Sequence, residues 1–193
     1  MWSNSNHKGV EHIMNAKDCL LQRRSCRRFL DKPIDRETIR QIIDLARFAP
    51  SWKNTQIARY TVIDDPAFKN DIAENCVRGY TFNAKTIQRA AALAVISYET
   101  GLSGRDANGE LQTPDAEKWE MFDAGVATQT FCLAAREYDV GTCIIGVMDE
   151  DAIARKLQLS ASQKIACLVA MGYPEAWKEG PARLACDELV TFI

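Results

Sequence analysis

Between Arg23 and Arg28 the chain sets four arginines and the Ser25 hydroxyl, with Leu20 and Leu21 on one side and Phe29 on the other. Guanidinium forks present paired, permanently charged donors that match phosphate oxygens, and Ser25 adds a neutral donor. Further on, Ala49-Pro50-Ser51-Trp52-Lys53-Asn54-Thr55-Gln56 surrounds one large aromatic with polar donors. Cations suited to phosphate, followed by an aromatic and amide segment, point to a phosphorylated, flat, heteroaromatic ligand. The competing explanation is a solvated helix end, where arginines complement the carbonyl end of the dipole. A short motif alone does not decide between the two.

Other chemistries are poorly supplied. The only histidines are His7 and His12, so a Ser-His-Asp triad or a histidine-rich metal centre is not expected. No catalytic side chain and no metal ligand is assigned. The seven cysteines (19, 26, 76, 132, 143, 167 and 186) include no Cys-x-x-Cys pair and fall in mostly apolar segments. They read as reduced thiols used as small core residues. A formal charge of −2 gives no general pull towards nucleic acid or an anionic membrane, so any anion site must be local. The amino end is polar with no h-region, and the apolar run around 165–171 is too short to cross a bilayer. A cytoplasmic protein is therefore expected, without nucleic-acid or membrane partners.

These groups must be carried by one domain over residues 1–193, a length that can bury a sizeable core. Residues 1–12 read as a flexible tail. A short helix holding Cys19 and Leu20 delivers Arg23 and Arg24 at its end. Asp35 can cap a helix whose Ile39, Ile42, Ile43 and Ala46 share one face, ending by Pro50. Residues 59–64 read as a strand stopped by Asp65-Pro66, and 67–77 as a helix. Asn83 can cap a short helix that leads into a buried strand at 93–96.

Gly101, Gly104 and Gly109 alternate with polar groups, so 101–114 reads as a mobile loop, either a plain connector or a lid. A long helix over 116–138 is apolar on most sides, as befits a core or a subunit interface. Residues 140–147 then read as a strand or strand-loop, Asp149 caps a helix through Leu157, and 164–173 read as another strand. Residues 189–193 are β-prone but set apart from the body by Pro174, Gly180 and Pro181 within a C-terminal arm, 175–193. Helices and strands mix without strict alternation, which makes the class α+β.

Taken in order, these motifs resemble the FMN-dependent nitroreductase family over nearly the whole length. The family's Arg-Arg-Ser-x-Arg-x-Phe opening matches Arg23-Arg24-Ser25-Cys26-Arg27-Arg28-Phe29. The resemblance implies that Arg23, Arg24, Ser25 and Arg27 contact the FMN phosphate, ribityl chain and pyrimidine edge. Its next signature matches Pro50, Ser51, Asn54 and Gln56, with Trp52 and Lys53 between them, a segment that reaches flavin bound mainly by the other subunit. Asn83 matches an asparagine that bonds the pyrimidine ring. Ile145 and Gly146 match a turn whose backbone N–H groups face the flavin, and Arg183 matches a late phosphate-binding arginine. Ile57-Ala58 replaces the family's Pro-Trp, and Pro181 stands where a lysine is common, which implies a phosphate that leans more on Arg23 and Arg27, or on Lys178.

The resemblance further implies a three-layer α/β/α fold with a central, mostly antiparallel sheet, a helical dimer interface and an exchanged C-terminal arm. By the same resemblance the protein is a homodimeric oxidoreductase. It uses NAD(P)H to reduce small-molecule acceptors, nitroaromatic or quinone-like, by a ping-pong mechanism. Two alternatives stay open: a flavoenzyme of the same fold with other chemistry (dehalogenation, flavin destruction or substrate dehydrogenation), and a non-catalytic FMN-binding protein.

Overall fold

A computed structural model describes residues 15–193, and its centre is a four-stranded antiparallel sheet. Strands β1 (Ala58–Ile63), β2 (Ala92–Glu99), β3 (Gly141–Ile145) and β4 (Gln163–Gly172) lie side by side in the order β1-β2-β4-β3. Val95 stands opposite Leu168 and Ala94 opposite Val169, and a bulge between Ile96 and Ser97 bends β2. Because β2 and β4 are central and covered on both faces, both read as near-continuous apolar runs rather than alternating ones.

The side chains of these strands separate two cores. Leu93, Val95, Leu168, Ala170, Cys143 and Ile145 face helices α3 (Pro66–Asn75), α4 (Thr81–Arg89) and α6 (Glu150–Leu157) through Ile72, Ile87 and Ile153. Ala92, Ala94, Ile96, Val169 and Met171 face α2 (Arg36–Ala46) and α5 (Ala116–Glu137) through Ile39, Ile42, Phe131 and Ala135. Three layers result, each large side chain contributing about 1.5–3 kcal/mol on full burial. Helix α1 (Ala16–Gln22) packs on α5.

Helix starts follow the capping chemistry. Asp35 accepts from Glu37 N–H at 3.2 Å and Asp149 from Ala152 N–H at 2.9 Å. Asp65, followed by Pro66, accepts from Phe68 N–H at 2.6 Å. Asn83 departs from expectation. Left-handed Arg78 and Gly79 turn the chain early, Tyr80 takes the cap position, and Asn83 falls inside the first turn of α4. All seven cysteines are free, and all except Cys186 are buried, as core thiols should be. Burial pushes the Cys132 thiol up to about 11, which makes it inert at neutral pH.

Residues 189–193 form no strand within the chain; the only regular element nearby is a single turn at Cys186–Glu188. A strand needs an edge to pair with, and this segment lies off its own sheet. The 101–114 segment contains no helix or strand, but its base is held. Ser103 is fully buried, and Gly104 lies so close to α5 that an added β-carbon would be 2.6 Å from Ala116 Cα. Its tip closes on Asp106, whose carboxylate accepts from Asn108 and Glu110 N–H groups. The expected tail at 1–12, with both histidines, lies outside the described residues.

Candidate functional site

The arginine segment is positioned by the edge of the sheet. Helix α1 ends as Arg23 N–H donates to Cys19 O at 2.9 Å, and the chain then runs extended beside β3. Ser25 pairs with Thr142 there, and Cys26 N–H donates to Thr142 O at 2.8 Å. Cys26 and Phe29 are buried in the core, which leaves Ser25, Arg27 and Arg28 exposed. Those three line a cavity of about 340 Å³ together with Arg24, with Phe82, Lys85, Thr86 and Arg89 of α4, and with Glu175 and Lys178 beyond β4.

Charge is strongly unbalanced around this cavity. Arg24, Arg27, Arg28, Lys85, Arg89 and Lys178 face a single carboxylate, Glu175. None of these groups takes part in an ion pair among the described residues. Arg24 donates through one terminal nitrogen to the carbonyls of Leu21 at 2.6 Å and Arg23 at 2.8 Å, while its buried Nε has no partner. A buried donor left unpaired costs about 1–3 kcal/mol, more when charged, so the cluster is suited to an incoming anion. Gly180 permits the carboxyl-terminal segment to lie against Arg24: a β-carbon there would be 2.8 Å from the Arg24 Nε. The Arg27 guanidinium sits 5.6 Å from the centre of the exposed Phe82 ring, a cation–π contact that leaves the ring available to a flat ligand.

The second sequence motif forms a tight turn elsewhere. Lys53, Asn54 and Gln56 all adopt positive φ angles of 44°, 58° and 50°. Such left-handed geometry costs of order 1–3 kcal/mol at a non-glycine residue and survives only where neighbours hold it. Ser51 Oγ accepts from Gln56 N–H at 2.9 Å, and Trp52 N–H donates to the buried Asp123 carboxylate at 2.9 Å. The Trp52 ring lies 4.9 Å from that of Trp119. Pro50, Ser51 and Gln56 line a smaller cavity of about 170 Å³ with Tyr60, Arg47 and Asp123. Burial pushes the Tyr60 phenol up to about 12, so it stays neutral at ordinary pH.

Of the expected site residues, the structure brings Arg24, Ser25 and Arg27 together, and separately Pro50, Ser51, Gln56 and the Trp52–Asn54 turn. Asn83 is half-buried on α4, beside Phe82. Ile145 is buried at the end of β3, and Gly146 after it is exposed, with open space where a β-carbon would be. Arg23 is half-buried and does not line the arginine cavity; Arg183 is exposed and does not line it either. Sequence reasoning missed Lys85, Thr86 and Arg89, although with Phe82 they recur at i, i+3, i+4 and i+7 of one helix face. Asp123 and Glu120 were also missed; α5 carries Glu117 and Glu137 as well, and the sequence does not mark which of the four carboxylates are buried. Among the described residues no cluster of His, Cys, Asp or Glu could hold a metal, and no helix is long and apolar enough to cross a membrane.

A family model described as "Nitroreductase family" matches residues 20–173. The chain is 27% identical to an oxygen-insensitive NADPH nitroreductase of Helicobacter acinonychis, covering 81% of this chain and 86% of that protein. It is also 27% identical to a 5,6-dimethylbenzimidazole synthase of Rhodospirillum rubrum, covering 81% of each. Among solved structures, a candidate nitroreductase from Desulfovibrio desulfuricans in complex with FMN superposes with a TM-score of 0.74 at 24% identity, over 92% of this chain and 95% of that one.

Proposed function

Since the chain belongs to the nitroreductase family, we propose that it is an FMN-dependent oxidoreductase that takes electrons from NAD(P)H and passes them to nitroaromatic or quinone-like acceptors. The observation that carries this reading is the unbalanced cavity: six cations and an unpartnered Arg24 Nε beside an exposed aromatic, on a chain whose formal charge is −2. A phosphate carries about −1.5 to −2 at neutral pH and relieves that imbalance. The family relatives described as an NADPH nitroreductase and as an FMN complex support the same reading.

When bound, FMN supplies the redox chemistry, and the protein contributes binding and orientation. Arg24, Arg27 and Lys178 offer charged donors to the phosphate, with Ser25 as a neutral donor between the arginines. Phe82 offers a face for a flat ring. No side chain is assigned as an acid or base. Donor and acceptor would occupy one space in turn, which gives ping-pong kinetics.

The Pro50–Gln56 segment lines a different cavity from the arginines of its own chain, and this supports a homodimer in which it serves the partner's cofactor. Met121 and Phe122 on α5 and Leu45 and Phe48 near the end of α2 are exposed apolar groups fitted to such an interface. Residues 189–193 would then cross to the other copy, where the outer edge of β1 has no partner among the described strands.

Anaerobic addition of NADH or NADPH to the FMN-loaded protein tests the proposal. Bleaching of the yellow colour, reversed by a quinone or a nitroaromatic, is expected; retention of colour with both donors overturns it. Similarity to a relative described as a 5,6-dimethylbenzimidazole synthase favours a second reading, a flavoenzyme of the same fold with chemistry other than nitro or quinone reduction, flavin destruction among it. Flavin absorbance lost under aerobic reduction and not restored by an oxidant would select that alternative.

A further inference from the structure

We propose that Asp123 is a positioning residue that latches the 51–56 turn to the start of the 101–114 loop, so that the two segments hold or lose their geometry together. The proposal rests on the functional reading above for its consequence, but not for its geometry.

A single carboxylate oxygen, Asp123 Oδ2, accepts from the Trp52 backbone N–H at 2.9 Å and from the Ser103 hydroxyl at 2.5 Å. Two further bonds join the same two segments directly. Thr55 Oγ1 lies 3.2 Å from Ser103 Oγ, and Trp52 Nε1 donates to the Arg105 carbonyl at 3.0 Å. One helical turn before Asp123, the buried Glu120 accepts from Gly101 N–H at 2.6 Å and fixes the entry to the loop. Helix α5 thus supplies the rigid base, and each of the two segments is tied both to it and to the other.

The turn has need of such a tie. Lys53, Asn54 and Gln56 are left-handed without being glycines, a geometry that relaxes once its restraints are removed. Asp123 and Ser103 are both buried, so water cannot readily replace the bonds they make. Releasing the loop at Ser103 therefore leaves Asp123 Oδ2 held by the Trp52 N–H alone and takes from Thr55 Oγ1 its partner, so the disturbance reaches the turn without any change to the turn's own sequence. An ordinary core hydrogen bond would lower global stability alone. A latch transmits a local change from one segment to the other.

Hydrogen exchange on the FMN-loaded protein, read by mass spectrometry, separates these outcomes. Ser103→Ala removes only the loop's share of the bonds. It is expected to speed exchange across 52–56 by roughly 2- to 12-fold, the range for one hydrogen bond, and to raise the FMN dissociation constant by a similar factor. Asp123→Ala is expected to loosen both segments further, and Asp123→Asn, which keeps an acceptor oxygen, to recover part of the loss. Faster exchange confined to 101–105 in Ser103→Ala, with 52–56 unchanged, overturns the latch. Should Asp123→Ala fail to fold, the Ser103→Ala and Asp123→Asn comparison still decides. A protein with no affinity for FMN would defeat the functional reading, while exchange on the flavin-free protein and the same variants would still judge the coupling.

Discussion

Gly141 and Cys26 approach so closely that a β-carbon on Gly141 would stand 2.7 Å from the Cys26 Sγ, and 2.6 Å from Cγ of Pro174. Only a glycine lets the arginine segment lie this near β3, and Cys26 is flanked by Ser25 and Arg27, which line the cationic cavity. Gly141→Ala should therefore destabilise the fold by about 1–3 kcal/mol, the usual cost of overpacking. It should also weaken FMN binding, because the shift moves Ser25 and Arg27. Urea denaturation and a flavin titration measure both effects. A variant unchanged in stability would show that the neighbours yield freely.

Arg24 and Arg27 line the cavity, whereas Arg23 does not. Arg27→Ala should raise the FMN dissociation constant by roughly 10- to 150-fold, the range for a charge-assisted hydrogen bond. Arg27→Lys should recover only part of this, since an ammonium lacks the planar fork. Arg23→Ala should have the smaller effect. Fluorescence titration of apoprotein with FMN measures all three, and equal losses at Arg23 and Arg27 would place the phosphate elsewhere.

Tyr60 gives a prediction in alkali. Its phenol is pushed up to about 12 by burial, against roughly 10 in an unfolded chain. The folded protein keeps a proton that the unfolded chain releases, so stability from this group is fully present below about pH 10 and declines as pH approaches 12. Tyr60→Phe preserves the stack on Phe131, whose ring centre lies 5.5 Å away, and removes the titration. Its unfolding free energy should fall less between pH 10 and 12 than that of the unmodified protein. Some decline will persist, because burial also raises Tyr98 and Tyr138. Identical pH profiles for the two proteins would refute the assignment.

The carboxyl-terminal residues carry apolar surface that their own chain does not cover; Phe192 is 90% exposed. Deleting residues 189–193 should raise the dimer dissociation constant while leaving the far-UV circular dichroism unchanged. Sedimentation velocity across a dilution series measures this. A dimer equally tight without the segment would remove it from the interface.

Glu120 offers a check on the loop alone. Its carboxylate accepts from Gly101 N–H, and Glu120→Gln keeps one acceptor oxygen but loses the charge. Proteolytic nicking within 101–114 should become several-fold faster, in keeping with about 1 kcal/mol lost from one hydrogen bond. Unaltered nicking would show that the loop is held by Ser103 and Gly104 without Glu120.

The parts of this protein that the sequence determined by itself are those set by near neighbours. Asp35 and Asp149 cap their helices because a carboxylate two or three residues ahead of a free N–H needs nothing distant. The apolar run at 93–96 read as a buried strand, and Leu93 to Ile96 are fully buried in β2. Asn83 failed as a cap because left-handed Arg78 and Gly79, which no local pattern announced, brought the helix in early.

What tertiary structure decided is the company these residues keep. Lys85 and Arg89 join Arg27 around one cavity only because α4 packs across from the edge of β3. Trp52 and Asp123 meet across 71 residues of sequence, and nothing near either one foretells the other. The two family motifs, at 23–29 and 49–56, end in separate cavities for the same reason. Caps and helix periodicity are settled within a few residues, whereas a site is fixed by distances that exist only after the layers close.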